Sequence, residues 1–304
     1  MINFRFLKII IIFLLVVFTK QVYCTSPPPF FEMQGKNNSQ RSKVVMGLYL
    51  GVTSYFGDLN NNSLSIPLYR RYGAQIFIER EMYKNIRLST GFFIGNIFGE
   101  ERTILRNLNF KTTLFAPQFG VSYKMFDFYQ KRFSAFFYAG MELFFFSSSG
   151  NLSNNKDETY FYWSDGTVRN LPEIPANLGT ASVISIDPYY ETDYRNSNID
   201  NVVDYPRTSF AIPVGLSLEA NLNRGFALRA GAIYHYTFTD YLDNITTNSI
   251  GSRKGNSATD KFLFSYVGFV YNLPVAKIKR PSLKGCGFEK NQIDHKKVAK
   301  LRAK

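Results

Sequence analysis

From Arg41 to Tyr271 apolar residues recur mostly at every second position, the spacing of a chain whose side chains alternate between two environments. The clearest run is Phe210 to Leu222, where Phe210, Ile212, Val214, Leu216, Leu218, Ala220 and Leu222 alternate with Ala211, Pro213, Gly215, Ser217, Glu219 and Asn221. Phe226 to Phe238 repeats the pattern, and only Asn223-Arg224-Gly225 separates the two runs, so they form a tight hairpin. The same reading predicts strands over Val44 to Phe56, Tyr72 to Glu81, Ile86 to Gly99, Leu108 to Lys124, Phe133 to Ser147 and Lys261 to Leu273, eight strands in all. In one of them the apolar face of Leu108, Phe110, Thr112 and Leu114 passes to Phe119, Val121 and Tyr123. A one-residue slip near Ala116-Pro117 is expected there, because bulges change phase and host proline.

Soluble strands run about five or six residues, whereas strands crossing a bilayer at a tilt need about nine to eleven. The predicted strands fit the second case. Connections alternate: Met82 to Asn85, Met125 to Arg132 and Asn223 to Gly225 are short, while Gly57 to Arg71, Glu100 to Asn107, Ser148 to Arg207 and Asp240 to Asp260 are mostly longer. Aromatic residues gather near both strand ends, with Tyr55, Phe56, Phe98, Phe145, Tyr236 and Phe238 at one and Tyr83, Tyr123, Phe126, Phe128, Tyr129, Phe133 and Tyr271 at the other. Two interfacial girdles would look like this. Lipid offers no partner to a backbone amide, so membrane strands must pair all the way round. The expected fold is therefore all-β, an eight-stranded antiparallel transmembrane β-barrel with long extracellular loops, occupying residues 43–273 with its longest loop at 148–207.

Eight strands leave room for side chains and little else. The faces read as inward carry Glu79, Arg87, Lys111, Lys124, Glu142, Glu219 and Arg229, four cations and three anions. Near-balance suits a structural network of paired ions, whereas a selective channel would want one dominant sign or a wider ring.

Composition refines this picture. Aromatic residues make up 17% of the 304 residues, yet mean hydropathy is only −0.15, so apolar residues are interleaved with polar ones and a helical membrane bundle is disfavoured. Arg5 and Lys8 precede an apolar stretch from Ile9 to Phe18 and a polar segment ending at Cys24, the order of a secretory signal. Ten helical residues reach about 15 Å, half a bilayer core. Residues 1–24 are expected to be a signal peptide with Val22 and Cys24 at its cleavage site, and 25–42 a periplasmic leader. Acylation at Cys24 is the alternative, disfavoured by Tyr23 where that signal takes a small residue.

The formal charge of +13 falls to +10 without the signal, and most of it lies after Ala276, where ten Lys and Arg face only Glu289 and Asp294. No nucleic-acid surface follows from a charge so placed on an exported chain. The tail, residues 274–304, offers Lys279, Arg280, Lys284, Lys296, Lys297 and Lys300 to an acidic periplasmic partner or to anionic headgroups, or is disordered. Cys286 in that tail is a free thiol or an intermolecular bridge.

Candidate chemistry is sparse. Two Cys and two His leave no zinc framework, and no phosphate loop is present, so no cofactor, metal or catalytic residue is expected. His235 is the one body histidine, inward-facing, with Ser209 and Asp240 near the same rim, a weak constellation for a lipid-modifying enzyme. The 148–207 loop holds Asp157, Glu158, Asp165, Glu173, Asp187, Glu191, Asp193, Asp200 and Asp204, with no spacing of a calcium loop.

The last strand, Tyr266-Val267-Gly268-Phe269-Val270-Tyr271-Asn272-Leu273, resembles the C-terminal signal read by barrel-assembly machinery. Gly47 to Gly51 leading into Tyr55-Phe56-Gly57-Asp58-Leu59, Arg106 to Lys111, Tyr162 to Thr167 and Tyr234 to Asp240 together resemble the small outer-membrane β-barrels of the Bacteroidota, from about Val45 to Leu273. That resemblance implies a barrel that stands alone, belongs to a type IX secretion or gliding apparatus, or precedes an OmpA-type domain. Only about thirty residues follow the last strand, too few for the last arrangement. The expected function is a non-enzymatic outer-membrane structural or envelope-assembly component, embedded in outer-membrane lipid and contacting partner proteins through its basic tail or long loop. A surface receptor or adhesin using the acidic loop is the alternative.

Overall fold

A computed structural model describes residues 44–59, 71–102, 107–129, 132–154, 156–197, 205–223 and 225–273, the side chains of residues 102, 107 and 252 excepted. The expected signal peptide, the leader and the basic tail with Lys279, Arg280, Lys284, Lys296, Lys297, Lys300 and Cys286 lie outside the described residues, as do Asp200 and Asp204.

Eight long strands form the body: β1 (Val44–Phe56), β2 (Tyr72–Tyr83), β3 (Ile86–Arg102), β4 (Asn107–Phe128), β5 (Phe133–Gly150), β6 (Thr208–Asn221), β7 (Phe226–Thr237) and β8 (Lys261–Asn272). Each pairs antiparallel with its neighbours in sequence, and β1 pairs with β8 through Leu48 opposite Phe269, so the sheet closes on itself. Closure gives every one of the eight strands a partner on both sides through the body of the ring, the condition for a sheet to survive away from water. Among the described residues no helix is long and apolar enough to cross a membrane.

Alternation assigns every strand an inner and an outer face. Tyr49, Gln75, Phe93, Ala211, Arg229, His235 and Phe264 are buried inside, while Leu50, Ile76, Met141, Leu216 and Phe269 stand on the outer wall with more than half their surface exposed. The short turns cluster at one end. At 222–225 the Asn223 Oδ1 accepts the amides of Gly225 (2.9 Å) and Phe226 (2.8 Å), which shapes the hairpin with one side chain.

Two expectations fail together on β4. No slip occurs at Ala116-Pro117: Pro117 stays opposite Phe92 and Ala116 opposite Phe93, and the only register shift of β4 against β5 falls between Lys124 and Phe126. Even-numbered residues therefore face inward along the strand, with Leu108, Phe110, Thr112, Leu114, Ala116, Gln118 and Ser122 all buried. Lys111, expected inside, lies on the outward face opposite Phe98. The cause is tertiary. The 238–260 connection drops Leu242 and Ile245 into the barrel mouth, and the apolar face of upper β4 turns inward to meet them.

The expected loop from Glu100 to Asn107 also shrinks, because β3 and β4 remain paired to Arg102 opposite Asn107. Strands β3, β4 and β5 run 17, 22 and 18 residues, so this side of the barrel stands higher than the 12-residue β7 and β8.

Candidate functional site

The interior is layered, and its first layer is ionic. Arg229, from β7, places Nη1 2.9 Å from Glu79 Oε1 and Nη2 3.1 Å from Glu79 Oε2, a two-pronged bond to β2. The same guanidinium donates to Glu219 Oε2 through Nε (3.0 Å) and Nη2 (2.5 Å), and to the Tyr49 hydroxyl at 2.7 Å. Arg87 adds a second cation, 3.3 Å from Glu79 and 3.7 Å from Glu219, and both guanidinium groups lie over the Phe136 ring at 4.5 and 4.8 Å. Two cations thus balance two anions, and a cavity of about 20 Å³ beside them has room for about one water.

Above this layer runs a hydrogen-bonded chain across four strands. Gln75 Nε2 donates to Gln118 Oε1 (2.9 Å), Gln118 Nε2 donates to Glu142 Oε2 (2.7 Å), and Glu142 Oε1 meets His235 Nδ1 at 2.8 Å. His235 is fully buried and stacked on Phe262 at 4.1 Å, with Phe93 on the tilt at 5.5 Å. The structure does not bring Ser209 or Asp240 to it. The ladder partner of His235 on β6 is Pro213, so Ser209 lies four residues further along, about 13 Å away by strand rise.

The seven charges expected to face inward thus divide. Glu79, Arg87, Glu219 and Arg229 form one cluster, Glu142 belongs to the chain with His235, Lys124 pairs with Asp127 at 2.8 Å near the short-turn end, and Lys111 is outside.

The mouth is closed by the 238–260 connection. Leu242, Asp243, Asn244 and Ile245 are all buried, and the Leu242 carbonyl accepts the Ser148 hydroxyl at 2.7 Å with Thr112 Oγ1 against the same oxygen. Below it the Tyr55 hydroxyl touches Asp243 Oδ2 at 2.7 Å and also Asp260 Oδ1. A phenol has one proton to give, so a carboxyl must donate in one of these contacts. The remaining oxygens accept backbone amides, Asp243 Oδ1 from Ile245 (2.8 Å) and Asp260 Oδ2 from Leu242 (2.9 Å). Burial, then the charge of Asp260, pushes Asp243 well above the carboxylate range, and burial together with Asp240 and Asp58 raises Asp260 to about 7 despite the Tyr55 and Leu242 hydrogen bonds. No pattern of spacing signalled this pair, whose members both lie on the connection, Asp260 at its end just before β8.

The 151–197 loop is built rather than loose. Asn109 and Asn151 bond reciprocally, the Asn109 side chain to the Asn151 carbonyl (2.9 Å) and the Asn151 amide to Asn109 Oδ1 (2.7 Å). Buried Tyr194 donates its hydroxyl to the Asn109 carbonyl. The loop's acids mostly hold its own fold. Glu191 Oε1 accepts the amides of Leu152 (3.0 Å) and Ser153 (3.1 Å), Glu173 that of Ser164 (2.7 Å), and Asp193 pairs with Arg207 at 2.6 Å. Asp165 accepts from Thr167 and Arg169, which hold its carboxyl below its ordinary value, and Arg169 in turn covers Trp163 at 4.1 Å. Among the residues the loop turns outward are five large apolar ones, Ile174, Leu178, Val183, Ile186 and Tyr189, beside polar residues such as Lys156, Asp157, Glu173 and Ser185.

Among the described residues no group of three acidic, histidine or cysteine side chains is placed to hold a metal ion. No protein-family model matches the chain. No curated protein matches it in sequence either. Solved structures do align with it. A major outer membrane protein from Thermus thermophilus is 12% identical, with 76% of this chain and 99% of that one covered and a TM-score of 0.40. Neisserial surface protein A is also 12% identical, covering 76% and 97% at 0.39, and OprG from Pseudomonas aeruginosa is 9% identical, covering 77% and 96% at 0.36. Likeness at these values assigns neither family nor function to this chain.

Proposed function

We propose that the protein is a non-enzymatic component of an outer membrane, a barrel with a filled lumen whose working surface is its folded long loop. Membrane placement is supported by the outer wall, where Leu48, Leu50, Ile76, Ile94, Phe119, Met141, Leu216, Leu218, Val267 and Phe269 are exposed. Leaving such side chains in water forgoes about 1.5–3 kcal/mol each, and soluble monomers rarely expose apolar patches beyond a few hundred Å². The long loops would then face outside and both barrel termini the periplasm.

The observation that carries the reading is double closure of the lumen, by the Arg229 layer and by the Leu242–Ile245 insertion. A barrel so filled serves as a platform. Planar-bilayer recording tests it: no steady conductance is expected at neutral pH, and a stable ohmic pore would overturn it. The non-enzymatic part fails if the purified protein hydrolyses lipid and His235→Ala abolishes that activity.

Of the two kinds of contact, docking of an envelope protein fits better than a surface receptor or adhesin that uses the loop's acids, because Glu158, Asp165, Glu173, Glu191 and Asp193 are engaged within the loop. Leu178→Ser with Val183→Ser is expected to abolish a cell-surface crosslink made from residue 178 or 183 in the wild type. The basic tail remains a second proposed contact; deleting residues after Pro281 should remove periplasmic partners and leave loop crosslinks unchanged. The resemblance to Bacteroidota barrels adds type IX secretion or gliding as one proposed setting.

A further inference from the structure

An open cleft of about 330 Å³ lies at the long-loop rim, between the start of β6 and the 238–259 connection. Asp240, Thr208, Ser209, Thr247, Asn248 and Thr259 line it, and none of these six side chains bonds to another described residue. Asp240 is half-buried: its Oδ1 is enclosed, and its Oδ2, which is not, is the oxygen available to a ligand in the cleft. Two aromatic rings complete the wall. Phe238 is 55% exposed, and Tyr241 is held by parallel stacking on Tyr205 with ring centres 4.6 Å apart.

This lining selects a ligand class. It contains no Lys or Arg, so phosphate or sulfate would meet a carboxylate with no cation to offset it. It is too polar for an acyl chain, whose burial would strand five hydroxyl or amide groups. A ligand rich in hydroxyls supplies both donors and acceptors to Thr, Ser and Asn, a donor to Asp240, and a C–H face to an aromatic ring. We propose that this cleft binds a single pyranose unit of a glycan, with Asp240 accepting from its hydroxyls and Thr247 and Asn248 closing on its edge. Phe238 stands next to Tyr236 on the outer wall, with rings 5.7 Å apart, so the site opens where outer-leaflet glycolipid sugars would lie. A soluble external glycan carries the same chemistry.

The test uses the full chain in detergent micelles and in nanodiscs. Saturation-transfer NMR with glucose, galactose, mannose and N-acetylglucosamine probes the soluble source, and tryptic protection of the 238–259 segment in lipopolysaccharide-containing against phospholipid-only nanodiscs probes the leaflet. Transfer to at least one sugar, reduced fivefold or more in Asp240→Asn and in Thr247→Val, supports the site with a soluble ligand. Protection only in lipopolysaccharide discs, lost in the same variants, supports it with a glycolipid. Far-UV circular dichroism confirms that each variant keeps its barrel. Absence of both signals in the wild type, or signals unchanged by both substitutions, overturns the proposal.

Discussion

Arg229 grips Glu79 with both terminal nitrogens, at 2.9 and 3.1 Å, although the two lie 150 residues apart in the chain. The bond joins β7 to β2 across the lumen, with β1 and β8 between them in the ring. Removing the cation leaves Glu79 and Glu219 buried with Arg87 as the cation they share and Ser122 as a hydrogen-bond donor to Glu79. Arg229→Met is expected to cost about 3–5 kcal/mol in urea unfolding of the barrel from lipid vesicles. Arg229→Lys, which keeps the charge and loses the fork, should cost less.

The Tyr55, Asp243 and Asp260 contact makes the inserted connection pH-sensitive. Burial raises Asp243 well above the ordinary range, burial helped by Asp240 and Asp58 lifts Asp260 to about 7, and burial, then Asp58, lifts Asp240 to about 7. Unfolded aspartate titrates near about 4, so between about 4 and 7 the folded state holds more protons. Stabilisation is full below that window and is lost as pH rises through the folded values. Hydrogen exchange of 240–249 amides, corrected for intrinsic rates, should show more protection at pH 5 than at pH 8. Asp243→Asn, a permanent mimic of the protonated acid, should retain protection at pH 8.

Gly150 ends β5 beneath the Tyr194 ring. A Cβ there would sit 2.2 Å from the Tyr194 oxygen, and that ring is buried with nowhere to move. Gly150→Ala is expected to cost about 1–3 kcal/mol locally and to open residues 192–197 to limited proteolysis, with the barrel intact.

Outer-wall position should set the penalty for charge. Leu216, mid-strand on β6 and 59% exposed, is expected to tolerate Arg poorly, at about 2–4 kcal/mol in vesicle unfolding. Phe238→Arg at the rim should cost about 0–1 kcal/mol. Equal costs at both positions would contradict a membrane-embedded wall.

Much of the fold was legible locally. Val44–Phe56 is a strand with the predicted bounds, and the even-numbered face from Phe210 to Leu218 lies outside as its alternation implies. Backbone pleating makes such faces a property of single strands, readable without neighbours. Upper β4 was not readable this way. Leu108, Phe110 and Leu114 carry the same apolar signal whether they meet lipid or a core, and only Leu242 and Ile245, more than a hundred residues away, decide that they face in.

The candidate sites follow the same division. Arg229, Glu79, Glu219 and Arg87 could be placed indoors by period, but which carboxylate each cation takes depends on barrel closure and stagger. The shared proton at Tyr55 and the hydroxyl-lined cleft at Asp240 have no period at all, since connections obey no repeat. The sequence by itself determined eight alternating strands, the ends carrying short and long connections, and inward faces that carry charged side chains. Tertiary structure alone decided which apolar face turned inward, what plugged the mouth and which polar groups were left facing a cleft, because those depend on contacts between segments remote in the chain.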